Sequence, residues 1–326
     1  MDTESPLPRH RLNTRHLIIC TLLWILPIPA PAQTTPSLPE WTNRLTANDP
    51  KIRASAEAEL VQGAGRLLPL LRRLLNNEVL QLRTFEIIRR IGPPAMPLLV
   101  DLLRDERVSI RRSAVDVLID LTPSTESIQP ALRRALRDDD SEVAGDAARA
   151  LGALGKRASP SVGALVSALS HEDPYVRIYA AEGLASIGPG AANATNALAQ
   201  ALADPIPGVR WAACEALASI GPAAQSAVPQ LIEALTDEFL YVRIFAAGAL
   251  GSIGPKAQTA REALKAAAQD PTLRDEVEWA LNRIAGVKPG EPIAAPLVPA
   301  PSVAPQPQTT VAQTGNPPVE DRKSVV

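Results

Sequence analysis

An all-α solenoid of about eight stacked helical hairpins is the fold class that this 326-residue sequence predicts, and three observations predict it. The first is the stretch from Asp173 to Pro189, which reads as one helix with its start and stop written in. Asp173 suits an N-cap, Pro174 suits the first turn, and Val176, Ala180, Leu184 and Ile187 recur at three- and four-residue steps to give one buried stripe. Gly188 can take a positive φ there, and Pro189 forbids continuation. The second is that the same run returns 33 residues later at Val209–Pro222, and again at Val242–Pro255. The third is an alignment of the whole array on the position of Arg177. It gives Arg53, Gln81, Arg111, Ala144, Arg177, Arg210, Arg243 and Arg274, and seven residues after each comes Leu60, Ile88, Leu118, Leu151, Leu184, Leu217, Leu250 and Leu281.

Taken in order, residues 33–43 form a spacer that ends in a helix start. Ser37-Leu38-Pro39-Glu40 has the spacing of a capping box, so the first helix begins there and carries Trp41 and Leu45. Between the aligned helices lie shorter apolar segments such as Pro97–Leu103 and Pro229–Leu235. Pro69, Pro97, Pro130 and Pro229 each stand six residues before the last leucine of their segment, where they start or kink that helix. The unit is therefore a helical hairpin that depends on its neighbours for a core. Paired small residues (Ala147-Ala148, Ala180-Ala181, Ala212-Ala213, Ala246-Ala247) allow adjacent helices to approach closely. The last unit, Asp270 to Ala285, carries Arg274, Asp275, Glu276, Glu278, Asn282 and Arg283, a polar covering suited to a terminal repeat.

The pattern Asp-Pro-x-x-Val-Arg-x-x-Ala-Ala-x-x-Leu-x-x-Ile-Gly resembles HEAT repeats, specifically the short subclass found in phycobilisome lyases, over residues 44–286. The resemblance implies a right-handed α-α superhelix whose Val-Arg helices line the concave side. It also implies a ladder in which the arginines Arg53, Arg111, Arg177, Arg210, Arg243 and Arg274 stack with the turn aspartates Asp49, Asp173, Asp204, Asp237 and Asp270. Gln81 and Ala144 interrupt that ladder.

The ends differ from the array. Residues 1–32 place Arg9, Arg11 and Arg15 before an apolar run from Leu17 to Pro29, followed by Ala30-Pro31-Ala32. That order predicts a secretory signal peptide cut between Ala32 and Gln33, since the run is shorter than the roughly 20 residues that span a bilayer. The expected location is periplasmic or extracellular, with membrane contact only through an uncleaved signal segment. Residues 287–326 hold 9 prolines among Gln, Thr, Ala and Val, a composition that predicts a Pro-rich disordered tail. The tail ends in Ser324-Val325-Val326, which matches a loose pattern for domains that capture C-terminal carboxylates.

Composition narrows the function. The net charge of −2 implies no polyanion partner, so no nucleic acid is expected. The charge is uneven, with 16 basic and 11 acidic side chains in residues 44–137 and 11 basic and 18 acidic in 138–286. Arginine pairs (Arg72-Arg73, Arg89-Arg90, Arg111-Arg112, Arg133-Arg134) mark either a surface for an anionic partner or a solvated face with Asp101, Asp116 and Asp120 interleaved.

Beyond residue 32 one cysteine (Cys214) and one histidine (His171) remain, which rules out an internal disulfide framework. Cys214 fills a slot that other repeats give to alanine and reads as a small buried thiol. Deoxyhypusine hydroxylase-like HEAT enzymes use several His-Glu pairs, whereas this chain has His171-Glu172 alone. Asp138-Asp139-Asp140 precedes a helix and reads as capping. No phosphate loop, nucleophile elbow or paired-cysteine zinc motif stands in the sequence, and no cofactor or metal is expected.

The expectation is therefore a non-catalytic exported scaffold for a protein or peptide partner. The alternative is an enzyme or enzyme accessory related to phycobilin lyases or deoxyhypusine hydroxylase-like proteins. Seven aromatic residues fall between Tyr175 and Trp279. On the Val-Arg helices the positions one, two and five after the arginine lie off the buried stripe and hold Ile178, Tyr179 and Glu182, then Trp211, Ala212 and Glu215, then Ile244, Phe245 and Gly248, with Trp279 in the last unit. One reading aligns Tyr179, Trp211 and Phe245 along a groove beside Glu182 and Glu215, where an extended peptide or a helix with basic residues binds. The other wedges these side chains between repeats as core.

Overall fold

The structure, a computed structural model, describes residues 36–121 and 127–287. The signal-peptide segment and the Pro-rich tail predicted from sequence lie outside the described residues, apart from Val287. No strand occurs among the described residues, and no helix is long and apolar enough to cross a membrane.

The chain falls into two compact units, one ending at Ala131 and one beginning at Leu132. In the first unit, α1 (Leu38–Thr46) precedes α2 (Pro50–Gly63), α3 (Leu68–Leu74), α4 (Glu78–Ile91), α5 (Met96–Leu102) and α6 (Val108–Leu121). Helix α7 (Gln129–Ala135) crosses the division. The second unit continues with α8 (Ser141–Ala153), α9 (Val162–Ala168), α10 (Pro174–Ile187), α11 (Thr195–Ala201), α12 (Pro207–Ile220), α13 (Val228–Ala234), α14 (Leu240–Ile253), α15 (Arg261–Ala267) and α16 (Arg274–Ile284). Long Val-Arg helices alternate with seven-residue helices, and in the second unit each long helix packs against the next.

The capping chemistry is the one the sequence spells out. Ser37 and Glu40 form the capping box of α1, whose Trp41 and Leu45 are buried. Asp173 caps α10 by accepting from the Tyr175 N–H at 2.8 Å. Pro69, Pro97, Pro130 and Pro229 stand at the first or second position of their short helices and so start them rather than kink them. Gly188, Gly221 and Gly254 close α10, α12 and α14 at φ near +70°, with ψ between −134° and −138°, backbone that a Cβ disfavours. The Gly188 N–H donates to the Leu184 carbonyl, and a short 3₁₀ segment (Gly188–Ala194) then leads into α11.

The core is the predicted stripe. On α10 it consists of Val176, Ala180, Ala181, Leu184 and Ile187, all buried, and the equivalent residues of α12 and α14 are buried too. Small side chains make the close stacking possible. A Cβ placed on Gly152 would lie 3.2 Å from the Gly183 Cα, and one on Gly251 would lie 2.3 Å from the Trp279 ring.

Candidate functional site

Three rungs of the arginine ladder stand among the described residues of the second unit. Arg177 donates to Asp204 through Nε at 2.8 Å and Nη2 at 3.0 Å, and Arg210 donates to Asp237 at 2.7 and 2.9 Å. Arg243 reaches Asp270 at 3.1 Å. Each arginine also donates from Nη1 to carbonyls five and six residues earlier, in its own turn, while each aspartate accepts a backbone N–H in the next turn. One guanidinium thus ties two successive turns together.

Electrostatics follow this geometry. Burial pushes the Asp237 carboxyl up, but the Arg210 guanidinium and the Phe239 N–H more than offset it and hold it below the usual carboxylate range. The hydrogen bonds to Asp237 raise Arg210 in turn.

The remaining predicted rungs are placed differently. Asp173 is a cap, and the preceding repeat carries Ala144 where a guanidinium would stand. Arg53 donates to the carbonyls of Ala47 and Asn48, and Asp49 caps α2 by accepting from Lys51, so both serve their own turn. Among its contacts, Arg111 donates to the carbonyls of Asp105 and Glu106 at 3.0 and 3.2 Å, as the arginines of the rungs do in their own turns. Arg274 is exposed at the first position of α16, the last described helix.

The aromatic groove requires correction. Trp211 is only 5 % exposed and Ile178 only 4 %, so neither stands on a solvent face. The side chain one after the arginine wedges against the next long helix. Ile178 seats on Gly208, where a Cβ would meet its Cδ1 at 2.9 Å, and Trp211 packs on Phe245 with ring centroids 5.7 Å apart. Tyr179 lies over Gly145, with the Arg149 guanidinium 5.9 Å from its ring centre. Ile244, Phe245 and Trp279 are half-buried, and Trp279 covers Gly251. Trp211 and Phe245 therefore share one contact between repeats while Tyr179 belongs to another, and the three rings do not line one continuous aromatic wall.

Glu182 and Glu215, the acidic residues of the expected site, lie together. Glu182 and Glu215 are half-buried and line a cavity of about 340 Å³ with Ala185, Ser186, Ser219 and the Trp211 side chain. Burial, and then Glu215, push the Glu182 carboxyl up to about 7 against the opposing pull of Arg149, and burial also raises Glu215.

Sequence reasoning missed a third carboxyl, Glu276, which is 7 % exposed. Its Oε1 lies 2.8 Å from where a Cβ on Gly248 would stand, and Gly248 is the residue of α14 equivalent to Glu182 and Glu215. A glycine where two repeats carry glutamate was the available signal. Burial alone pushes Glu276 up to about 7.

Elsewhere several surface charges pair with one another. In the first unit Arg72 pairs with Asp101 at 3.0 Å, Arg89 with Asp116 at 2.7 Å and Asp120 at 3.3 Å, and Arg90 with Glu57 at 3.1 Å, the interleaved arrangement. A larger cavity of about 600 Å³ near α7 and α9 mixes Arg133, Arg137, Asp138, Asp139, His171 and Glu172. His171 Nδ1 accepts the Asp173 N–H at 3.0 Å and so serves its turn. Cys214 is fully buried, and burial pushes its thiol far up. Among the described residues no group of three or more His, Cys, Asp or Glu is placed to hold a metal ion.

Helical hairpins stacked through a shared stripe and a turn-linking arginine define a solenoid repeat protein. The sequence matches the model of HEAT repeats over residues 96–162, 162–227 and 196–282, and the chain belongs to that family. The match is to HEAT repeats at large. Among solved structures, an engineered protein is similar over 76 % of this chain and 78 % of its own, with 23 % identity and a TM-score of 0.52, which shows the fold. A second engineered protein aligns over 58 % of this chain and 95 % of its own, with 27 % identity and a TM-score of 0.48. A designed armadillo repeat protein aligns over 67 % and 100 %, with 18 % identity and a TM-score of 0.41. No curated protein matches the sequence.

Proposed function

We propose that this protein is an exported, non-catalytic scaffold whose second unit holds a protein or peptide segment along the concave groove of its Val-Arg helices. The observation that carries the binding reading is the cavity between α10 and α12, where Glu182 and Glu215 face open space beside Trp211 instead of closing on guanidinium groups as the ladder aspartates do. Half-buried carboxyls left open on a rigid repeat face are costly to the fold, and a ligand that meets them recovers that cost. HEAT-family and designed repeat proteins are generally scaffolds of this kind. Export rests on the signal-like order of residues 1–32. The phycobilisome-lyase subclass belongs to this reading as a sequence resemblance only.

The test is a peptide-display selection against the full chain, repeated with Ser219→Arg. Ser219 is an exposed lining residue of the cavity, so the new side chain fills the groove without touching the core. Peptides selected on the wild type are expected to lose at least tenfold in affinity for Ser219→Arg. Equal affinity for the two proteins places binding elsewhere and sinks the reading.

A further inference from the structure

Three carboxyls stand in a row along the long helices of the second unit. Glu182 on α10 and Glu215 on α12 share one repeat position, and the Glu276 carboxyl occupies the same place on α14 by covering Gly248. Glu276 is 7 % exposed as a residue and has no hydrogen-bond or ion-pair partner among the described residues, while its carboxyl oxygens keep contact with solvent. A partly desolvated carboxyl without a partner is disfavoured in its charged form, and a cation supplied from solvent or a ligand can reach and offset it. The surrounding charge points the same way, since residues 138–286 carry 18 acidic side chains against 11 basic ones.

We infer that the groove is specific for an extended basic segment, whose Lys or Arg side chains enter one per repeat and pair with Glu182, Glu215 and Glu276. This deepens the proposed function and rests on it. Packed helices stand about 8–10 Å apart and an extended chain rises about 3.3 Å per residue, so the matching cations recur at about every third residue. The aliphatic stem of the first cation lies along the Trp211 side chain in the cavity, while Ser186 and Ser219 offer hydroxyls to the ligand backbone.

The charged groups facing the row are few. Arg149 on α8 acts on Glu182, Glu215 acts on Glu182 from α12, and no charged group on α14 or α15 acts on Glu276. Because burial raises Glu182 and Glu276 to about 7 and raises Glu215 as well, while lysine stays cationic, binding strengthens as pH rises from about 6 to 8.

The experiment measures fluorescence anisotropy of labelled synthetic peptides with the full-length chain at pH 6 and pH 8 and constant salt. One peptide carries lysine at every third residue, a second has glutamine in place of each lysine, and a third groups the same lysines in one block. The third-residue peptide is expected to bind at least tenfold tighter than the other two, and tighter at pH 8. Glu215→Gln and Glu276→Gln, both near-isosteric, are each expected to weaken it about tenfold, and the exposed Glu278→Gln to leave it unchanged. Circular dichroism on each variant checks that the fold is kept.

Equal binding of the lysine and glutamine peptides overturns the inference, and the groove reading survives if Ser219→Arg still abolishes that binding. Lysine-dependent binding that ignores Glu215→Gln, Glu276→Gln and Ser219→Arg reflects the general negative field and overturns both. Failure of all three peptides to bind, while display-selected peptides still depend on Ser219, overturns the basic-segment inference alone.

Discussion

The two units solve the problem of joining one helical hairpin to the next in different ways. In the second unit the join is a buried rung, with Arg210 and Asp237 at side-chain exposures of 9 % and 11 %, and small residues let the long helices close on each other. In the first unit the equivalent positions hold bulkier side chains, Thr84-Phe85 on α4 and Ala114-Val115 on α6, and the Thr84 hydroxyl is buried without a partner. Its ion pairs lie mostly outside. Arg89 and Asp116 are 41 % and 56 % exposed.

Where Gln81 interrupts the arginine register, two donors share the work. Gln81 Nε2 donates to the Leu75 carbonyl at 3.2 Å, and Arg107 donates to the same carbonyl at 2.9 Å while holding the buried Asp105 at 2.8 and 3.0 Å. Strict period therefore goes with buried electrostatics, and loose period with local substitutes for it.

Removing one arginine from each unit should separate the two designs most widely. Arg210→Ala leaves Asp237 buried without its partner and the carbonyls of Asp204 and Pro205 without a donor, so thermal or urea unfolding should show a loss of about 3–5 kcal/mol. Arg89→Ala in the first unit removes only solvent-screened contacts and should cost about 0–1 kcal/mol. Similar costs for the two variants would mean that the rungs are as screened as the surface pairs. Trp211→Ala belongs with the large effects as well, since it empties a core contact with Phe245 and should cost about 3–5 kcal/mol.

Next in size is steric. Gly251→Ala drives a Cβ to 2.9 Å from the Ala280 Cα, a backbone atom that cannot step aside, and to 2.3 Å from the Trp279 ring. Overpacking of this kind costs about 1–3 kcal/mol. Gly65→Ala in the first unit meets nothing within 4 Å and should leave the melting temperature unchanged or slightly raised. A neutral Gly251→Ala would show that α14 and α16 are looser than the glycine spacing implies.

Much of this was legible in the sequence because repetition multiplies weak signals. The Asp173 cap, the Gly188 stop and the Val176–Ile187 stripe each recur at fixed spacing, so the hairpin and its core face follow from pattern alone. The rungs from Arg177 to Asp270 followed from the resemblance to HEAT repeats rather than from pattern alone. The groove was not legible. Whether Trp211 is exposed depends on what the next repeat places opposite it, and that is a contact between helices 33 residues apart in sequence rather than a property of one helix face. Glu276 was hidden for the same reason, since its site is made by the absence of a side chain at Gly248.

A pH-dependent prediction tests that hidden carboxyl directly. Glu276 has its folded-state pKa raised to about 7 from an ordinary 4.5, so the native state holds its proton more tightly than the unfolded chain does. The stability this supplies is fully present below pH 4.5 and is lost as pH rises through about 7. Glu276→Gln, which mimics the protonated form, should match the wild type at pH 4. At pH 8 it should melt about 2–4 °C higher, an effect of about 1 kcal/mol, since partial access of water keeps it below the full shift. Equal melting temperatures at pH 8 would show a carboxylate that is already solvated.

The smallest expected effect returns to the first unit and its looser design. Helices α4, α10, α12 and α14 end on glycines with φ between +69° and +73°, whereas α2 ends at Ala64 with φ +37° and ψ −127°. A Cβ in positive-φ backbone collides with neighbouring carbonyl oxygens and costs about 1–2 kcal/mol. Glycine removes that collision but gives back about 0.5–1 kcal/mol in unfolded-state entropy. Ala64→Gly should therefore raise stability by roughly 0.5–1 kcal/mol, the difference of those two terms. The opposite change at the equivalent stop of the second unit, Gly221→Ala at φ +70°, should lower it by about 1 kcal/mol or more, although its Cβ meets only the Ser252 carbonyl at 3.8 Å. Opposite signs for the two substitutions show that the stop is a backbone requirement shared by both units, which the first satisfies under strain. A loss of stability on Ala64→Gly would mean instead that the Ala64 methyl contributes packing that outweighs its backbone cost.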